Sequence, residues 1–215
     1  VFDISLTGAA TTTADTAVQM TATLQDVDNT TISGTVEWTT SNGVIDSNGL
    51  FTPDQTGNVT IQARFGRVIV SHVIIVQPGL PQQLIGGPAV SEITSDETVS
   101  LWFEVLDDNN NLVPGVALSF AITNGSILQG NSHTTPVGAI TYMPWNTGIQ
   151  WVNVSWSGGS LSLQITVTEG VPDYIVMSGY SSIPAGETRD FNWTAYDAHD
   201  NPVTPIRLLS VNWTV

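Results

Sequence analysis

Asp15-Thr16-Ala17-Val18-Gln19-Met20-Thr21-Ala22-Thr23-Leu24-Gln25-Asp26 is matched by Asp96-Glu97-Thr98-Val99-Ser100-Leu101-Trp102-Phe103-Glu104-Val105-Leu106-Asp107. It is matched again by Gly186-Glu187-Thr188-Arg189-Asp190-Phe191-Asn192-Trp193-Thr194-Ala195-Tyr196-Asp197. The offsets are 81 and 90 residues, so the chain is read as three copies of one unit. Within each copy the apolar residues alternate: Met20, Ala22 and Leu24; Leu101, Phe103 and Val105; Phe191, Trp193 and Ala195. A period of two places each set on one side of a strand, with the polar residues between them on the other.

Working outward, Gly79-Leu80-Pro81 returns as Gly170-Val171-Pro172, and Ser41-Asn42-Gly43-Val44-Ile45 returns as Thr123-Asn124-Gly125-Ser126-Ile127. Turn signals at Asp46-Ser47-Asn48-Gly49, Arg64-Phe65-Gly66 and Ser157-Gly158-Gly159 separate further short apolar runs. About seven strands in 80 to 100 residues is the pattern of an immunoglobulin-like β-sandwich. The expected organisation is all-β: sandwiches at 1–78 and 79–170, and an incomplete third copy at 171–215, where the chain holds only the N-terminal half of the unit.

The composition agrees. In 215 residues, 41% hydrophobic side chains suffice for a core in each copy. Thr, Ser, Val, Ile and Gly outnumber the helix formers. There is no Lys and only four Arg (Arg64, Arg67, Arg189 and Arg207), giving a net charge of −15, which excludes nucleic acid as a partner. Cysteine is absent, so no disulfide or thiolate site is available. No apolar run reaches membrane-spanning length.

At Val36-Glu37-Trp38-Thr39-Thr40-Ser41-Asn42 followed by Val44-Ile45-Asp46-Ser47-Asn48-Gly49-Leu50-Phe51-Thr52, the first copy resembles the group-two Ig-like repeats of bacterial and archaeal surface proteins. The second, with Val113-Pro114-Gly115-Val116-Ala117-Leu118-Ser119-Phe120 and Asn124-Gly125, is similar to the invasin pattern. The resemblance implies tandem Ig-like domains, cell-surface display and a structural or adhesive role. It carries over no catalytic residue, because its motifs are turn and core positions.

Chemistry is sparse. His72, His133 and His199 lie in a strand, a loop and a turn, with no metal-ligand spacing between them. No nucleophile elbow, phosphate loop or dinucleotide fingerprint occurs, so no enzyme activity and no cofactor is expected. The candidate metal is calcium, at acidic turns that recur with the repeat: Asp26 and Asp28, Asp107 and Asp108, Asp197 and Asp200. The competing explanation is that Asp and Asn form these turns by accepting backbone hydrogen bonds. Six Asn-x-Ser/Thr sequons, at Asn29, Asn58, Asn124, Asn153, Asn192 and Asn212, are candidates for glycosylation.

Of seven Trp, Trp38 and Trp193 fall on inner faces, whereas Trp102 and Trp151 alternate outward and could form a contact patch for a subunit or a glycan. In the third copy, Phe191, Trp193 and Trp213 would lie bare unless further chain or another subunit supplies strands. The functional expectation is a non-catalytic extracellular protein, acting as stalk, surface-layer or filament component or adhesin. Its partners would be further Ig-like repeats, neighbouring subunits or glycans. The alternative is a carbohydrate-binding or spacer module of a secreted hydrolase.

Overall fold

Runs of β-branched and aromatic residues broken by Gly, Asn and Asp leave no segment long enough for a helix. The computed structural model describes residues 3–130, 133–134 and 137–204, and every regular element among them is a strand. No helix there is long and apolar enough to cross a membrane. The chain groups into two compact units, Val1–Gln83 with Val105–Val116, and Leu84–Glu104 with Ala117–Val215.

In the first copy the strands are β1 (Asp3–Thr7), β2 (Thr11–Thr13), β3 (Val18–Gln19), β4 (Thr21–Gln25), β5 (Thr31–Ile32), β6 (Glu37–Thr40), β7 (Val44–Ile45), β8 (Leu50–Thr52), β9 (Gly57–Phe65) and β10 (Val68–Gln77). One layer holds β1-β4-β5 and β3-β8-β7; the other is the four-stranded sheet β2-β10-β9-β6. Antiparallel pairing sets Ile4 opposite Leu24 and Leu6 opposite Ala22, so these residues share one face. The core between the layers has two clusters, Ile4, Leu24 and Ala63 with Ala22 beside them, and Met20, Phe51, Val59, Ile61, Ile74 and Val76, and Leu6 packs against both. Trp38 from β6 is half-buried against the same core, as its inner-face position requires.

The second copy repeats this plan with β11 (Gln83–Pro88), β12 (Glu92–Thr94), β13 (Val99–Leu106), β14 (Ser119–Ile122), β15 (Ser126–Gly130), β16 (Gly138–Met143), β17 (Gly148–Trp156) and β18 (Gly159–Thr168). Its sheets are β11-β13-β16-β15 and β12-β18-β17-β14. Leu101, Phe103 and Val105 are wholly buried, and Phe103 of one sheet meets Phe120 of the other at 5.4 Å between ring centroids. In both copies a short strand switches sheets and pairs in parallel with the last long one, β2 with β10 and β12 with β18. The repeated Asn-Gly turns adopt left-handed backbone at Gly43 (φ 71°) and Gly125 (φ 100°), where a side chain would be strained.

The third copy supplies β19 (Pro172–Ser178), β20 (Asn192–Asp197) and β21 (Pro202–Val203) as one three-stranded sheet. Ile175 pairs with Ala195 and Met177 with Trp193, on the side that faces the core in the other copies. Here Ile175, Met177 and Phe191 are exposed, and among the described residues no second sheet lies over them. Arg207, Asn212 and Trp213 lie outside the described residues.

Candidate functional site

The acidic turns follow the strand that opens each copy's inner face. In the second copy, Asp107 folds its turn around itself: its Oδ1 accepts the backbone N–H of Asn109 (2.9 Å) and of Asn111 (2.8 Å). Asn110 takes left-handed backbone at φ 62°, which Asn tolerates well. The Asn111 side-chain amide donates to both Asp107 oxygens, and Asp107 Oδ2 also accepts the N–H of Gly79, at the end of the first copy, at 2.8 Å. Asn111 then reaches the Asp54-Gln55-Thr56 loop, giving its amide to Asp54 O and accepting from Thr56 N. Asn109 bonds Ala14 O. All of these groups belong to the first compact unit.

The second unit contains the same arrangement. Asp197 Oδ1 accepts from the N–H groups of His199 and Asn201, and Oδ2 from Gly170 N (2.9 Å) and the Ser95 hydroxyl. Asn201 bonds both Asp197 oxygens, Trp145 O and Thr147 N. A second carboxylate stands at each junction: Asp15 Oδ2 accepts from Leu80 N and Asp96 Oδ2 from Val171 N. Each of these also takes a threonine hydroxyl, from Thr13 and Thr94.

Asp107 and Asp197 are buried. Burial alone raises a carboxyl pKa, but the donors outweigh it. The Gly79 and Asn111 amides hold Asp107 below the usual carboxylate range. The Ser95 hydroxyl, the Gly170 amide and Asn201 hold Asp197 well below it. Asp15 is lowered chiefly by the Thr13 hydroxyl and then by Leu80 N–H, and Asp96 by Thr94 and then Val171 N–H. Buried carboxylates facing N–H and O–H donors serve as anchors for backbone.

Asp26 keeps the local turn, accepting from Asp28 N and Thr30 N, with Thr30 where the other copies have Asn111 and Asn201. Asp28, Asp108 and Asp200 are exposed; Asp200 accepts the Tyr174 hydroxyl. Among the described residues no group of three or more His, Asp or Glu is placed to hold a metal ion. Sequence reasoning singled out the turn aspartates but missed Asn111, Ser95, Asp15 and Asp96. Two signals were present: the Asp-x-x-x-Asn spacing shared by 107/111 and 197/201, and the Asp15–Asp96 column of the repeat.

Trp102 and Trp151 are both exposed, at 40% and 39%, but they lie on different sheets of the second sandwich. Outward from opposite layers, they form two separate surfaces and not one patch. Trp102 is opposite Ala139 and lies against Gly87, where a Cβ would sit 3.8 Å from its Nε1. The neighbouring Gly86 is needed for close approach, since its Cβ would meet Trp102 O at 2.4 Å. A shallow depression of about 280 Å³ beside Trp102's strand is lined by Ser100, Gln129, Gly130, Ala139, Ile140 and Thr141. Trp151 is opposite Gln164. Of the sequons, Asn29, Asn58, Asn153 and Asn192 are exposed, whereas Asn124 is half-buried and accepts from Trp145 N and Asn146 N.

No protein-family model matches the sequence, and no curated protein matches it. Solved structures do resemble it. InvD of Yersinia pseudotuberculosis aligns over 93% of this chain and 72% of its own, at 18% identity and a TM-score of 0.58. FdeC, an Escherichia coli adhesin, aligns over 95% and 76%, at 15% identity and a TM-score of 0.58. Invasin, a bacterial integrin-binding protein, aligns over 95% of this chain and 48% of its own, at 17% identity and 0.53. The chain has the fold of invasin-type Ig-like domains.

Proposed function

We propose that this chain is a non-catalytic, extracellular segment of a cell-surface protein, serving as a structural or adhesive array of Ig-like repeats. The observation that carries the reading is the junction carboxylate. Asp107 and Asp197 are each buried and bonded to the terminal glycine amide of the copy before, Gly79 and Gly170. The same bond recurs at both joints between copies, as expected of a chain built by adding one unit to the next. The fold shared with InvD and FdeC supports the same reading. Labelling intact cells of the source organism with antibodies to this chain is expected to give surface signal that surface proteolysis removes. Signal appearing only after permeabilisation would overturn it.

The partners follow from the third sheet. Its exposed inner face, Ile175, Met177 and Phe191, corresponds to a face that a four-stranded sheet covers in the other copies. We take its partner to be an Ig-like repeat of the same protein or a neighbouring subunit. The intact mass of the native protein separates the two: a mass well above 22.9 kDa, the mass of this sequence, supports repeats of the same chain, and one near it supports a subunit partner.

For the turn carboxylates the same reading favours junction bonds over calcium, because the oxygens of Asp107 and Asp197 already face donors. Calorimetric titration with calcium is expected to show no saturable heat; a saturable heat lost in Asp107→Asn reverses the assignment. The second reading, a carbohydrate-binding or spacer module of a secreted hydrolase, draws on exposed Trp102 and the polar depression near it. Glycan-array binding abolished by Trp102→Ala would favour it.

A further inference from the structure

Trp151, Asn153 and Ser155 alternate along β17 and share its outward face. Residues two apart on a strand are roughly 7 Å from one another, about the span from an asparagine side chain to the first sugar attached to it. Trp151 is an exposed indole outside the core, and Asn153-Val154-Ser155 is a sequon. The Asn153 side chain is already oriented: its Oδ1 accepts the Ser162 hydroxyl at 2.7 Å. Among the described residues nothing bonds its Nδ2, the atom that glycosylation uses. The two cross-strand neighbours of Asn153 are small, Ala121 on β14 and Ser162 on β18, so the surface above it is open.

No other described sequon has this setting. Two residues before Asn29, Asn58 and Asn192 stand Val27, Thr56 and Asp190, and Asn124, which follows Ile122 at that spacing, is half-buried. The matching strand of the first sandwich, β9, carries Thr60 and Gln62 where β17 carries Trp151 and Asn153.

We infer that Asn153 is an N-glycosylation site whose first sugar stacks its C–H face on the Trp151 indole. The inference rests on the preceding reading only in needing export of the chain. In the transfer, Asn153 Nδ2 displaces the lipid-linked phosphate from C1 of an oligosaccharide donor. The N–C1 bond forms, the C1–O bond breaks with its electron pair leaving on the phosphate, and the amide loses one proton. The sugar then covers apolar surface that the fold leaves wet, and the electron-rich indole face meets the sugar's polarised C–H groups. Trp151 thereby acts as a positioning residue for the glycan.

The test uses the full chain recovered from the surface of its native host, as wild type, Asn153→Gln, Trp151→Ala, Trp151→Phe and the double variants N153Q/W151A and N153Q/W151F. Glycopeptide mass spectrometry is expected to find sugar on Asn153. Removing it with Asn153→Gln is expected to lower Tm by about 2–4 °C. That drop should persist in the Trp151→Phe background, which keeps an aromatic face, and vanish in Trp151→Ala. Bare Asn153 on a surface-exposed chain overturns the proposal while leaving the surface reading intact; a chain confined to the cytoplasm overturns both. Sugar on Asn153 with the same Tm drop in every background overturns the stacking.

Discussion

Leu101, Phe103 and Val105 in the second copy and Phe191, Trp193 and Ala195 in the third occupy equivalent places in the repeat, yet they meet different surroundings. The first three are wholly buried between two sheets. In the third copy only Ala195 is buried; Trp193 is half-buried and Phe191 exposed. An alternating strand therefore specifies which side faces inward, but the free energy of that side depends on a second layer to receive it. Where the layer is present the residues form a core, and where none lies among the described residues they stay partly exposed.

The largest effect that sharpens this contrast is expected for Phe103→Ala, which should destabilise the second sandwich by about 3–5 kcal/mol. Trp193→Ala, at the matching position, should cost about 1 kcal/mol or less in this chain, because less area leaves water on folding. Urea denaturation followed by tryptophan fluorescence reads both. Equal losses would show that the third sheet is already covered.

Next in size is the contrast between the bonded turns and the Asp26 turn. Asp197→Ala leaves Gly170 N–H and the Asn201 amide without their acceptor, a loss of roughly 2–4 kcal/mol. Asp26→Ala, which removes only the bonds from Asp28 N and Thr30 N, should cost about 1 kcal/mol. Amide hydrogen exchange at Gly170 and Asn201 checks the first outcome, since both should lose protection in the variant.

The same carboxylates make stability depend on acid. Asp107 and Asp197 have native pKa values depressed below the unfolded value of about 3.9. Such groups stabilise the fold fully above that pH, where they are charged in both states, and the contribution is lost as pH falls through the native value. Melting temperature is therefore expected to decline from about pH 4 downward, and Asp197→Asn should flatten that decline. A profile unchanged in the variant would remove Asp197 from the account.

The smallest effect is expected for Thr30→Asn, which restores the residue found at Asn111 and Asn201. Thr30 is exposed, so the new amide should change stability by no more than about 0.5 kcal/mol. A larger gain, read in the same urea denaturation, would mean that the Asp26 turn already meets a bonding partner.

Much of this was legible along the chain. Period-two alternation, the repeat offsets and the Gly, Asn and Asp turns dictate strands, copies and layers, because these depend on near neighbours and on which side chains avoid water. The outward direction of Trp102 and Trp151 was legible for the same reason; that they lie on opposite layers was not, since strand order is a long-range property. The turn aspartates announced themselves as turn formers, but their second oxygens bond Gly79 and Gly170, 28 and 27 residues away, and no local pattern reports such a distance.

What the sequence by itself determined is an all-β chain of repeated Ig-like units without legible catalytic chemistry. What only the tertiary structure decided is which carboxylates bond the copies, on which layers the outward tryptophans lie, and which asparagine oxygens are already taken by neighbours. The physical reason is that alternation and turn chemistry act between adjacent residues, whereas burial and hydrogen-bond satisfaction are settled by whatever distant segment the fold brings into contact.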